Sequence, residues 1–329
     1  MRILNTYEHA AENKYYCIAL GSFDGVHVGH QKLIEVLEYN AENIGCVSMV
    51  YTFGTHPRKI LKPERSIHMI TSNEKRAEIM DELGVDVLYL EDFQKIMNLD
   101  AEQFFCDILI GKFNAKCIVV GYNFNFGKNG EGDALKLADL GNKYGVKVEV
   151  VPPVFIKDKV VSSSLIRHKI HEGNVCEVLQ YLSRAYSIQG KVIHGKKNGM
   201  SMGIRTANIE IGKEIILPKK GVYLTDTKIN NCKYKSVTNI GVNPTFKGEN
   251  LTIETHVLDF EGDLYNQDIE VYFIKRLRDE ITFDNMNDLI NQIKSDIQER
   301  LDYKVFYRLK NFTDLGIIYS ALQQRVVVL

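Results

Sequence analysis

Two histidines three positions apart, His27 and His30, close the stretch Gly21-Ser-Phe-Asp-Gly-Val-His-Val-Gly-His30. Imidazole rings donate hydrogen bonds to phosphate oxygens, and protonation adds charge. Glycines at 21, 25 and 29 let backbone approach a bulky anion closely. The rival reading is a metal triad of Asp24, His27 and His30, because H-x-x-H can share one helix face. No fourth ligand stands near it in sequence, and the glycine-rich setting suits phosphate better. The spacing G-x-x-x-G-x-x-x-G also departs from the G-x-G-x-x-G of a dinucleotide site. Phosphate chemistry is the first expectation.

Such a loop needs a strand behind it and a helix in front. Tyr15 to Leu20 is an apolar run that reads as a buried strand, and Leu33, Ile34 and Leu37 share one helical face after His30. A helix N-terminus at that point offers free N–H groups and the positive end of a dipole. Further strands are expected at 45–53, Val85–Leu90, Ala115–Val120 and Val146–Val151. Helices are expected near Ser72, capped by Thr71 or Ser72, at Ala101–Leu109 and near 134–143. This alternation predicts an α/β domain with a doubly wound parallel sheet, whose ligands bind beyond the carboxyl ends of the strands. The loops at 21–30, 54–58 and 121–133 all fall there.

Val161-Ser-Ser-Ser-Leu-Ile-Arg167 then opens a helix. Ser163, Ser164 and Arg167 make a candidate anion clamp, although a capping serine and a solvated arginine would look the same. A serine nucleophile is not expected, since no glycine-flanked elbow surrounds these residues. After a short helix from Val175, six strands follow near 186–194, 205–211, 221–229, 233–240, 251–259 and 269–276. They predict a small antiparallel β-barrel, with a C-terminal helix from Asn285 carrying Leu289, Ile290, Ile293 and Ile297. The expected domains are 1–184, 185–300 and an extension at 301–329 with no assigned role.

A chain of 329 residues is long for one core, so two domains agree with its length. A formal net charge of −1 gives no support to a nucleic-acid surface. Six scattered cysteines without a C-x-x-C pair read as reduced core thiols. The first residues do not read as a signal peptide, and no apolar run approaches a membrane span. The expectation is a cytoplasmic protein without nucleic-acid or membrane partners.

Gly21-Ser-Phe-Asp-Gly-Val-His-Val-Gly-His30 resembles the G-x-F-D-G-x-H-x-G-H signature of the bacterial bifunctional riboflavin kinase/FAD synthetases. Thr52-Phe-Gly-Thr-His-Pro57 is similar to their T-F-x-P-H-P, with threonine for the first proline. Gly121-Tyr-Asn-Phe-Asn-Phe-Gly127 and Val161-Ser-Ser-Ser-Leu-Ile-Arg167 match the third and fourth motifs, Ser164 standing where threonine is usual. The resemblance implies transfer of AMP from ATP to FMN, giving FAD and pyrophosphate. It places His27, His30 and Arg167 in catalysis, and Gly21, Phe23, Asp24, Gly29, Asn123, Ser163 and Ser164 around the nucleotide. Mg²⁺ is expected as charge neutraliser for ATP.

The second half resembles the riboflavin kinase module through Gly190-Lys-Val-Ile-His-Gly195, Thr206-Ala-Asn208, Asn239-Ile-Gly and Ile253-Glu-Thr-His256. That implies Thr206 and Asn208 as Mg²⁺ and phosphate ligands and Glu254 as general base. A base is needed because a 5′-hydroxyl must lose a proton to become a nucleophile. Several positions depart from the family pattern: Met200, Ile204, Arg205 for the proline of P-T-A-N, Asn243, and Asn266 for glycine. These departures lead to the expectation of weak or absent kinase turnover, the alternative being a fully bifunctional enzyme. A different small-molecule nucleotidyltransferase and a non-catalytic flavin-binding protein are the remaining readings.

Overall fold

The structure, a computed structural model, describes residues 1–7, 14–65, 67–194, 205–245 and 248–304. Contacts divide the chain into two units, Met1–Ser163 and the residues from Ser164 onward.

In the first unit, six strands lie parallel: β1 (Arg2–Leu4), β2 (Tyr16–Leu20), β3 (Val47–Phe53), β4 (Val87–Glu91), β5 (Ala115–Gly121) and β6 (Lys147–Val151). Their order across the sheet is β1-β4-β3-β2-β5-β6. Strand β2 shows why the sheet is covered on both sides. Tyr16, Ile18 and Leu20 join one apolar cluster while Cys17 and Ala19 join another. A period-2 element that is apolar on both faces must be sandwiched. The covering helices include α1 (Val28–Ile44), α2 (Asn73–Glu82) and α3 (Ala134–Tyr144). Of the two candidate caps for α2, Ser72 takes the role, its hydroxyl accepting from Lys75 N at 3.1 Å. The chain steps outward from β2 to β3 and β4, then returns to β5 on the other side of β2. That reversal opens a crevice beyond the ends of β2 and β5.

Several elements differ from expectation, among them a short helix, Pro57–Leu61, that begins within the loop placed at 54–58. Strand β1 is only three residues long, too short to show alternation in sequence. The stretch expected as α-helix from Ala101 is α-helical only to Gln103, then a π-helix over Phe104–Ile110 with Gly111 N bonded to Cys106 O at 2.9 Å. The wider turn buries Phe104, Phe105, Ile108 and Leu109 together. The cysteines are all free thiols, as expected. Their burial is uneven, since Cys17 and Cys117 are buried whereas Cys176 and Cys232 are exposed.

The second unit takes in most of α4 (Ser163–His171), all of α5 (Val175–Leu182), and a closed antiparallel barrel. Its strands are β7 (Tyr186–Ile193), β8 (Ala207–Glu210), β9 (Gly221–Ile229), β10 (Cys232–Thr245), β11 (Gly248–Val257) and β12 (Asp268–Arg278). They run β7-β8-β11-β10-β9-β12, and β12 pairs back onto β7. Helix α6 (Met286–Asp302) follows, capped by Asn285 on Asp288 N. It is bolted to the barrel by Arg300, whose guanidinium reaches Thr225 O at 2.8 Å and the Asp226 carboxylate, all fully buried. Buried hydroxyls are linked in the order Thr227, Ser236, Thr225, Thr238, Thr255, each step 2.7 to 2.9 Å. Among the described residues no helix is long and apolar enough to cross a membrane.

Candidate active site

The loop Gly21–His27 carries the chain from β2 to α1. Phe23, Gly25 and Val26 have φ of +48°, +81° and +38°, so two side-chain-bearing residues adopt the left-handed region at a cost. Surrounding contacts hold them there. The buried Asp24 carboxylate accepts from Ile70 N at 2.9 Å and Thr71 N at 3.3 Å, while Gly25 N donates to Thr71 Oγ1 at 3.1 Å. Phe23 is buried beneath the loop, its ring centroid 5.1 Å from that of His30. A Cβ on Gly21 would sit 3.1 Å from the Phe23 ring, so that glycine makes room for it.

His27 and His30 stack, with centroids 3.6 Å apart and planes 15° from parallel. His27 is the N-cap of α1, and its Nδ1 lies 3.3 Å from His30 N. A backbone N–H can only donate, so His27 Nδ1 is the acceptor and the neutral ring carries its proton on Nε2. The cap therefore fixes a donor on the far edge of the ring. Gly29 keeps the space beside it, since a Cβ there would meet the ring at 3.1 Å. Asn123 lies just past β5, its Oδ1 3.4 Å from the position of a Cβ on Gly121.

The structure thus gathers Gly21, Phe23, Asp24, Gly29, His27 and His30 around one helix mouth. Ser163 joins them at the start of α4, and its Oγ donates to Asp24 O at 2.9 Å. Its one hydroxyl proton is used within the loop. Ser164, exposed, and Arg167, half-buried, continue along α4 in the second unit.

In the second unit a cavity of about 270 Å³ is lined by Thr206, Asn239, Glu254, His256, Arg278 and Glu280, with Leu289 and Ile293 of α6. Asn208 is the register partner of Glu254 across β8 and β11, and Asn239 its partner across β10 and β11. Arg278 forms a two-pronged pair with Asp296 of α6, the shorter contact 2.7 Å, which fixes the helical wall of the cavity. Arg278 and Glu280 escaped the reading of the sequence, and Asn239 and His256 entered it only as parts of motifs, with no role of their own. Alternation along β10 and β11 is the signal that would have grouped Asn239 and His256 with Glu254.

Two departures from the kinase pattern have a local structural answer. Proline would fix the backbone before Thr206; here the His256 ring, through Nδ1, holds Arg205 O at 2.7 Å. Asn266 stands in place of glycine at φ +63°, a conformation asparagine tolerates better than most residues. Met200, Ile204, Lys196 and Lys197 lie outside the described residues, as does the side chain of Asn243.

The FAD synthetase family model matches residues 9–165, and the riboflavin kinase model residues 182–304. The bifunctional riboflavin kinase/FMN adenylyltransferase of Bacillus subtilis is 36% identical over 292 residues, covering 87% of this chain and 92% of the relative. The protein of the same name from Escherichia coli is 30% identical over 281 residues, covering 85% and 90%. A crystal structure named as a macrolide-efflux protein from Streptococcus pneumoniae matches with a TM-score of 0.85 and 32% identity, covering 92% of this chain and 99% of that one. Both catalytic modules are thus present, and the expectation of a failed kinase finds no support; the fully bifunctional alternative fits better. The chain is an enzyme that belongs to the family of bifunctional riboflavin kinase/FMN adenylyltransferases.

Proposed function

We propose that the chain carries out two successive steps, phosphorylation of riboflavin to FMN in residues 185–300 and adenylylation of FMN to FAD in residues 1–184. The observation that carries the proposal is a pair of separate sites in one chain. One is a stacked histidine pair at a helix mouth, the other a cavity lined by Thr206 and Glu254.

In adenylyl transfer a phosphate oxygen of FMN attacks the α-phosphorus of ATP, and the bond to pyrophosphate breaks. That oxygen is already ionised at neutral pH, so no general base is required. Catalysis is positioning plus stabilisation of charge on the transferring and leaving groups. The Nε2–H edge of His27, fixed by the cap, suits donation to a phosphate oxygen, and His30 stacks against it. Asn123 orients the nucleotide, Ser164 and Arg167 are assigned to the pyrophosphate end, and Ser163, its hydroxyl proton given to Asp24 O, ties the loop to the start of α4.

In phosphorylation Glu254 accepts the proton of the riboflavin 5′-hydroxyl as that oxygen attacks the γ-phosphorus of ATP, and ADP leaves. Thr206 and Asn208 supply hard oxygen donors close to this base, which fits them to hold Mg²⁺. Bound there, Mg²⁺ would neutralise triphosphate charge. ATP, riboflavin and FMN are the small-molecule partners of this reading.

A single chromatographic assay tests both halves. Riboflavin with ATP and Mg²⁺ should yield FMN and then FAD, and FMN with ATP should yield FAD. No FAD from FMN removes the first assignment; FAD from FMN without any FMN from riboflavin removes the second.

A further inference from the structure

A loop that faces a triphosphate must turn its carbonyl oxygens away from it. In the loop after β2 four carbonyls, those of Ser22, Phe23, Asp24 and Val26, are each held by a protein donor. Phe23 O accepts from Val26 N at 3.2 Å, Asp24 O from Ser163 Oγ at 2.9 Å, and Val26 O from Gln31 Nε2 at 2.9 Å. Ser22 O is held from below, by Thr52 Oγ1 at 3.0 Å and by Arg76 Nη1 at 2.9 Å. The same Nη1 also reaches Thr52 Oγ1 at 3.3 Å.

Arg76 lies on α2 and is only 1% exposed. Its Nη2 donates to Phe53 O, the last residue of β3, and to Asn73 Oδ1, both at 2.7 Å. One planar fork therefore ties the end of β3 to the loop leaving β2. Burying a cation is expensive, and a fold that needed only a packed helix would place an apolar side chain here. Burial pushes the guanidinium down to about 10, with Asp24 and Glu74 opposing, so it stays charged at neutral pH. No motif in the sequence marks it, although its register with Met80 on the buried side of α2 is a signal.

We infer that Arg76 is a positioning residue for adenylyl transfer, acting by holding the Ser22 carbonyl back and by placing a fixed positive charge behind the phosphate loop. This rests on the assignment of FMN adenylylation to the first unit. A slightly displaced loop misaligns His27 and His30 in the transition state while leaving ATP able to bind, so the loss should appear in kcat.

The test measures FAD formation from FMN and ATP by the full chain, with kcat and KM for ATP determined separately. Wild-type protein that makes no FAD removes the underlying assignment, not this inference. Given wild-type activity, Arg76→Met is expected to lower kcat about a hundredfold with KM for ATP changed less than about threefold. Arg76→Lys, which keeps a cationic donor, is expected to recover at least about tenfold of that loss. An Arg76→Met protein within about threefold of wild-type kcat, or an Arg76→Lys protein no better than it, overturns the inference. Where circular dichroism shows Arg76→Met to be unfolded, Arg76→Gln replaces it. A loss of at least about tenfold in kcat is then expected, and a rate within about twofold of wild type overturns the inference.

Discussion

At the scale of single residues, His27 performs two tasks with its two nitrogens. Nδ1 caps α1, and that places the neutral ring's proton on Nε2, where it can donate. Substitution can separate them. His27→Ala should lose about 1 kcal/mol of stability through the missing cap, and about 10²-fold or more in FAD formation. His27→Asn supplies a good capping oxygen, so its urea midpoint should return toward wild type while FAD formation stays low. Recovery of activity with the cap would show that the ring acts only through the helix. The histidines and glycines of this loop were legible because their types and spacing suit phosphate chemistry directly. The stacking of the rings, the left-handed Phe23 and Val26, and the inward role of the Asp24 carboxylate were not. They depend on Ile70 and Thr71, residues 46 and 47 positions away.

At the scale of elements, periodicity found the sheet and barrel strands apart from the three-residue β1, and most of the longer helices, because burial on a sheet or a helix face leaves a regular trace. It could not separate π-helix from α-helix over Phe104–Ile110, where an apolar run reads alike in both periods. Helix α6 shows what periodicity misses altogether. Besides its apolar positions, Arg300 and Asp226 fasten it to β9 from within. Burial pushes the Asp226 carboxyl up, against the lowering pull of Arg300. Arg300→Met removes that pull and leaves a buried carboxylate uncompensated, so the barrel should lose about 3–5 kcal/mol near neutral pH. The sign with pH follows. The native carboxyl of the variant titrates above its unfolded value, so on acidification the folded state binds the proton first. The deficit should narrow as pH falls toward the ordinary carboxylate range, as urea unfolding at neutral and mildly acid pH would measure. A deficit that widens would contradict the pairing.

At the scale of the whole molecule, the change from alternating elements to successive strands announced two architectures in one chain, and both are present. Departures from a family pattern were a poorer guide. Arg205 and Asn266 looked damaging because a sequence shows what is missing but not what substitutes for it, here the His256 ring and a tolerant asparagine. The two sites should also fail independently. Glu254→Gln should abolish FMN formation from riboflavin and leave FAD formation from supplied FMN within about twofold, since no group of the first loop depends on it. Loss of both together would mean that the assignments are not separable.

The linked hydroxyls inside the barrel carry a last consequence. Their four links use four of five available protons, so the interior is wired end to end like a cord with a middle and two tips. Thr238 has neighbours on both sides, Thr227 on one. Thr238→Val should cut the cord, breaking two links and leaving Thr255 without its partner in it, at about 1–3 kcal/mol, whereas Thr227→Val breaks one link and trims a tip. Tolerance to mutation in this barrel should therefore fall toward the centre of the cord, graded by place along it and not by depth from the surface.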